Sequence, residues 1–213
     1  MIWNVDIAKQ IAEYLLQIKA IKLNPANPFQ WASGWNSPIY CDNRKILSYP
    51  RVRTYVRQQM VDLIKDKYAK PEVIAGVATG GIAIGALVAQ DLGLPFIYIR
   101  PKAKGHGLKN SIEGEVFENN NVVVIEDLVS TGGSSLAAVQ TLRENKMNVL
   151  GMISIFTYGF DIAKENFKNN KCELYALCDY DNLIEAALDK NYIKEEELAS
   201  LKKWRKAPHQ WKK

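Results

Sequence analysis

Val122-Val123-Val124-Ile125-Glu126-Asp127-Leu128-Val129-Ser130-Thr131-Gly132-Gly133-Ser134-Ser135 decides how the rest of the chain is read. Four branched apolar residues in a row describe a strand buried on both faces, which is the habit of parallel sheets. The strand delivers two adjacent carboxylates, Glu126 and Asp127, to its carboxyl end. There they can accept hydrogen bonds from sugar hydroxyls and favour positive charge developing nearby. Glycines and hydroxyl residues follow, and then a helix through Leu136, Ala137, Val139 and Leu142. That order aims backbone N–H groups and the positive end of a helix at a phosphate. The segment reads as carboxylates for a ribose and amides for its phosphate. It is not a Walker A loop, since GxxxxGK[ST] is absent, and Gly76-Val77-Ala78-Thr79-Gly80-Gly81 lacks the GxGxxG order of a dinucleotide fingerprint.

Upstream and downstream the same rhythm repeats. Val73 to Val77, Leu94 to Ile99, Val149 to Phe156 and Leu174 to Leu177 are further apolar runs, most of them separated by helical segments. One such segment starts after Gly80-Gly81 and stops at Gly93. This predicts an α/β fold with a central, mostly parallel sheet flanked by helices, and ligands at the carboxyl ends of the strands. Before it, Ile7, Ala8, Ile11, Ala12, Tyr14, Leu15 and Ile18 recur at helical spacing behind Asn4, a candidate N-cap. Residues 24–49 hold Pro25, Pro28, Gly34 and Pro38 among aromatic residues, which predicts short strands and turns. Ser48 and Pro50 signal the next helix, and Asn182 to Lys206 reads as helical. The division expected is an N-terminal helix and hood over residues 1–48, a core over 49–181, and a helical segment with a basic tail over 182–213.

Composition narrows the class. The chain has 213 residues, 47% of them hydrophobic and 24% charged, which suits one ordered domain and leaves no room for two full catalytic domains. The net charge of +5 could suggest nucleic acid, but the last twelve positions hold six basic residues and no acidic one, so the body is essentially neutral. Three cysteines without CxxC spacing argue against a disulfide framework or a zinc site and point to a reducing cytoplasm. No apolar run is long enough for a membrane span.

The quoted segment resembles the phosphoribosyl-pyrophosphate (PRPP) motif of type I phosphoribosyltransferases. Two further segments resemble one branch of that family, the orotate phosphoribosyltransferases. Arg100-Pro101-Lys102-Ala103-Lys104-Gly105-His106-Gly107 is similar to their mobile catalytic loop. Ser33-Gly34-Trp35-Asn36-Ser37-Pro38-Ile39-Tyr40-Cys41-Asp42-Asn43-Arg44 is similar to the SGxxSPxYxDxR signature of their hood.

The resemblance implies the type I phosphoribosyltransferase fold and transfer of the phosphoribosyl group from PRPP to orotate, giving orotidine 5′-monophosphate and pyrophosphate. It implies Mg2+ carried by PRPP, with no metal ligand assigned to the protein. By position, Glu126 and Asp127 fall on the ribose hydroxyls, Ser130, Thr131, Gly132, Gly133 and Ser134 on the 5′-phosphate, and Leu128 and Val129 among the residues that bind PRPP. Thr79, Gly80 and Gly81, behind Ala78, fall on the pyrophosphate loop. Arg100, Lys104 and His106 fall on the pyrophosphate, and Ser130, Ser33 and Gly34 on orotate. Arg100, Lys104, His106, Asp127 and Glu126 are the catalytic set. The resemblance also implies a homodimer in which the loop over 100–115 acts in the neighbouring subunit. No nucleic acid or membrane partner is implied.

This sequence departs from the better-known bacterial branch at four places: Ala32 replaces a lysine, Thr79-Gly80 a Tyr-Lys pair, Pro101 a loop lysine, and Tyr158 an orotate-binding arginine. Lys102 is a candidate substitute for the missing loop cation. Two alternatives stay open: transfer to another base, and a non-catalytic PRPP-fold regulator that senses nucleotides and binds RNA through the basic tail.

Overall fold

The computed structural model of the chain describes residues 1–31, 34, 36–100 and 111–211. In chain order the elements are α1 (Val5–Gln17), β1 (Ile21–Leu23), β2 (Phe29–Gln30), β3 (Asn36–Ser37), β4 (Ile39–Cys41), a 3₁₀ segment (Asn43–Ser48), α2 (Pro50–Lys67), β5 (Val73–Val77), α3 (Gly80–Leu92), β6 (Phe96–Ile99) and β7 (Ile112–Glu113). They continue with β8 (Asn121–Val129), α4 (Gly133–Glu144), β9 (Asn148–Thr157), α5 (Asp161–Asn169), β10 (Leu174–Asp179), α6 (Tyr180–Asp189) and α7 (Glu195–Lys206).

Among the described residues β10, β9, β8, β5, β6 and β7 form one sheet in that order, parallel except for the edge strand β7. The fold is mixed α/β, a mostly parallel central sheet flanked by helices, as the sequence rhythm predicts. The continuous apolar runs have the expected cause. On β8, Val123 and Ile125 enter the core on one face while Val122 and Val124 enter the core on the other. Both faces of the strand are thus covered, and alternate side chains serve different layers. The chain leaves β5 toward β6 and later returns to pair β8 on β5's other side. The carboxyl ends of β5 and β8 therefore flank the switch point where such sheets bind ligands.

Asn4 caps α1 as its position predicts, its Oδ1 accepting from the Asp6 and Ile7 amides at 2.9 and 3.1 Å. Gly93 ends α3 in the left-handed region at φ 66°. β2, β3 and β4 stand in the segment read as strands and turns, β2 pairing antiparallel with β3, while β4 pairs antiparallel with β1, which precedes that segment at Ile21–Leu23.

Three sequence expectations are corrected. Ser48 is not the cap of α2: it closes the 3₁₀ segment, and Tyr49 is the N-cap ahead of Pro50. The stretch from Asn182 is two helices rather than one, because Asn191 adopts a positive φ of 59° between α6 and α7. The helix also begins earlier, at Tyr180, since the Asp179 carboxylate accepts from the Asn182 amide at 3.0 Å and caps it there. Third, β8 runs on past Ile125 through the acidic pair to Val129, so both carboxylates sit inside the strand.

The end of the chain is anchored to the core. Trp204 is fully buried, and its indole N–H donates to the Asn36 carbonyl at 3.3 Å. Its ring lies 5.7 Å from Trp31 and 5.8 Å from Tyr158. This aromatic group joins α7, the hood strands and the end of β9. No helix of the described residues is long and apolar enough to cross a membrane.

Candidate active site at the carboxyl ends of β5 and β8

The acidic pair divides its work by burial. Glu126 is 5% exposed, its Oε2 accepts from the Ser135 hydroxyl at 2.9 Å, and its Oε1 accepts from the Asp127 amide at 3.0 Å. Ser135 opens the first turn of α4, so this carboxyl ties the acidic strand to the helix that follows it. Asp127 is less buried, and its carboxylate lies directly against Gly80 at the start of α3. Any side chain at position 80 would collide with it. In this chain the space beside position 80 belongs to the Asp127 carboxylate.

Burial pushes both carboxyls above their ordinary range. Glu126 reaches about 8, first through desolvation and then through the neighbouring Asp127 charge. Asp127 is raised by desolvation, against the pull of the nearby Arg44 charge. A carboxyl whose native pKa lies above its unfolded value holds a proton that the unfolded chain has released. Stability therefore falls as pH rises from about 4.5 to about 8 and levels off beyond. Glu126→Gln removes the Glu126 share of this dependence and leaves that of Asp127. Its Tm should be close to wild type near pH 5 and several degrees higher near pH 8, as thermal melts across that range would record; parallel curves would contradict the buried proton.

The loop over 130–134, the candidate phosphate loop, is braced from behind. Gly132 (φ 85°) is the N-cap of α4. The Asn166 side-chain amide donates to the Thr131 carbonyl at 3.0 Å, and the Thr157 hydroxyl to the Val129 carbonyl at 3.2 Å. Gly133 and Ser134 are exposed at the helix start, where the first amides have no intrahelical acceptor. Across from them, Thr79 is exposed between β5 and α3, and the Ala78–Thr79 peptide is cis.

Arg100 follows β6 and lines a cavity of about 430 Å³ with Ser111, Ser134 and Thr141. Its Nε lies 3.3 Å from Glu113. The structure thus brings Arg100, the phosphate loop, the acidic pair and the 79–81 loop to one end of the sheet. Lys102, Lys104, His106 and Ser33 lie outside the described residues. Gly34 stands in a turn, its amide donating to the Trp31 carbonyl at 2.8 Å, and does not line the neighbouring cavity.

That cavity, about 300 Å³, is bounded by Gln30, Trp31, Tyr40, Cys41, Leu128, Ser130 and Tyr158. Sequence reasoning singled out only Leu128, Ser130 and Tyr158 among these. Tyr40 stands in the hood signature, whereas Gln30, Trp31 and Cys41 had no pattern to mark them. Tyr158, where the other branch has arginine, is 2% exposed and packed against Trp31, Phe156 and Phe160. A larger cavity of about 570 Å³ lies at the β10 edge, but it contains neither the acidic pair nor the phosphate loop.

Comparison with known proteins agrees with this geometry. Residues 43–176 match the family described as "Phosphoribosyl transferase domain". The orotate phosphoribosyltransferase of Cytophaga hutchinsonii is 53% identical, over 98% of this chain and 100% of its own. That of Listeria innocua is 50% identical, over 97% and 99%. Among solved structures, orotate phosphoribosyltransferase from Aeropyrum pernix superposes with a TM-score of 0.75 at 26% identity, covering 86% of this chain and 99% of that one. Leishmania donovani UMP synthase superposes with a TM-score of 0.78 at 25% identity; this chain covers 42% of its length. The chain belongs to the orotate phosphoribosyltransferase family.

Proposed function

We propose that the acidic strand and phosphate loop hold PRPP with its C1′ facing the cavity between Ser130 and Tyr158, and that this cavity takes orotate. The observation that carries the reading is the adjacency of the two sites. Leu128 and Ser130, within one residue of Asp127 and the phosphate loop, also wall the base cavity. Transfer of the phosphoribosyl group from PRPP to orotate is the activity of the family to which the chain belongs.

A ring nitrogen of orotate that has already given up its proton to solvent forms a bond to C1′ as the bond from C1′ to pyrophosphate breaks and its electron pair leaves with the phosphate oxygen. Positive charge develops on the ribose and is favoured by the Asp127 carboxylate. Glu126, buried behind it, holds the strand to α4. Ser130 to Ser134 and the N-terminus of α4 bind the 5′-phosphate. Arg100, Lys104 and His106 stabilise the departing pyrophosphate, with Arg100 exchanging Glu113 for it. Mg2+ would be carried by PRPP, with no protein ligand assigned, and would supply neutralisation of the charge on the leaving group. The hood over 1–48 covers the base, and the core over 49–181 and the tail segment over 182–213 support it. The free thiols of Cys41, Cys172 and Cys178 are in keeping with a reducing cytoplasm.

A base panel tests the reading. With PRPP and Mg2+, orotate should be consumed, and adenine, hypoxanthine and uracil should not; consumption of another base in its place would reassign the substrate. In the same assay Lys104→Ala should lower kcat roughly 10²- to 10³-fold. If the loop serves the neighbouring subunit of a homodimer, exchanged mixtures of Lys104→Ala and Asp127→Asn chains should regain about a quarter of wild-type activity. No recovery despite confirmed exchange would place the loop in its own subunit's site.

A further inference from the structure

Asn43 occupies a place that the reaction described above does not use. It follows the hood strand β4 and is 1% exposed. Its Nδ2 donates to the Asp127 backbone carbonyl at 2.7 Å, across 84 positions of sequence. Its Oδ1 accepts from the Cys41 thiol at 3.2 Å. Cys41 walls the base cavity, and Asp127 carries the carboxylate assigned to the ribose. One amide therefore joins the wall of the base site to the strand of the sugar site.

The need for such a link follows from the topology. Pairing of β5 with β8 runs from Val73↔Val122 to Gly76↔Ile125 and stops there. Asp127 lies two residues beyond; there β8 still pairs with β9, as far as Val129↔Thr157, but no longer with β5, and the Asn43 amide meets the Asp127 carbonyl. Among the described residues the hood strands β1 to β4 form small sheets of their own and share no ladder with the central sheet. The base cavity shares Leu128 and Ser130 with the ribose-binding segment, but its opposite wall of Gln30, Trp31, Tyr40 and Cys41 stands on the hood, and reaction requires the base nitrogen and C1′ within about 3–3.5 Å in line.

We propose that Asn43 is a positioning residue that fixes the base cavity against the ribose-binding strand, so that the base nitrogen and C1′ meet at reacting distance. This rests on the substrate sites assigned above. Asn43 touches neither reacting atom; it acts through Asp127 and Cys41. Loss of the link leaves each ligand its own contacts and loosens only their mutual placement.

The test uses the full chain, with kcat expressed per PRPP-binding site titrated calorimetrically in Mg2+, so that unfolded molecules are not counted. Asn43→Ala should lower kcat about 10- to 100-fold. The KM values for PRPP and orotate, and the calorimetric Kd for PRPP, should each stay within about threefold of wild type. Asn43→Ser keeps a small polar group beside Cys41 but is too short to reach the Asp127 carbonyl, and should show the same split. A kcat per site within about twofold of wild type overturns the proposal, as does a change confined to KM. Failure of both variants to fold or bind PRPP also overturns it, by making Asn43 a structural residue. A wild-type chain with no orotate-dependent turnover would defeat the functional reading itself, which separates that failure from this one.

Discussion

Replacing Gly80 by alanine is expected to lower kcat/KM by about 10²- to 10³-fold while leaving the fold intact. The new methyl group would occupy the position of the Asp127 carboxylate, which is the free end of a side chain and can rotate away. The protein thus relieves the clash by displacing the carboxylate proposed to face the ribose. Stability should change little, since alanine is a better helix residue than glycine by roughly 1 kcal/mol. Gly81→Ala provides the contrast. Its methyl would press on the Ile125 backbone carbonyl in β8, which cannot rotate away, so Tm should fall along with activity. Melting curves and kcat/KM measured side by side check both, and an active Gly80→Ala enzyme would show that Asp127 need not hold its observed place.

The second large effect is expected from Asp127→Asn. The substitution keeps side-chain volume and leaves the backbone carbonyl available to Asn43, but it removes the carboxylate charge. A fall in kcat of about 10²- to 10³-fold is expected, comparable with loss of one stabilising group at a developing charge. The same change should move Glu126 back toward the ordinary carboxylate range, because part of its displacement comes from the Asp127 charge. The fall in stability with pH should accordingly shift to lower pH, which melts of the variant from about pH 4 to 9 would show. Turnover near wild type would remove Asp127 from charge stabilisation.

How much of this was legible beforehand follows the range of the interactions. The buried strands and the helix after Gly132 announce themselves because apolar runs and glycine turns are local signals. The acidic pair and phosphate loop are contiguous in sequence, so their chemistry could be read at once. The different tasks of Glu126 and Asp127 could not, since they depend on Ser135 turning back from α4 and on Gly80 arriving from another strand. Asn43 was invisible for the same reason, as its partner lies 84 residues away. The base cavity is assembled from β2, β4, β8 and the end of β9, and no spacing rule connects Gln30 to Tyr158. The break between α6 and α7 was missed because Asn191 carries a positive φ that helix periodicity does not register.

The central claim is that one end of the sheet holds PRPP beside orotate and couples the two. Simultaneous measurement of orotate absorbance and pyrophosphate release, with PRPP and Mg2+ present, tests it most directly. The account predicts one pyrophosphate released for each orotate consumed, with little release when orotate is left out. Release without orotate, or orotate left unconsumed while pyrophosphate accumulates, would contradict it.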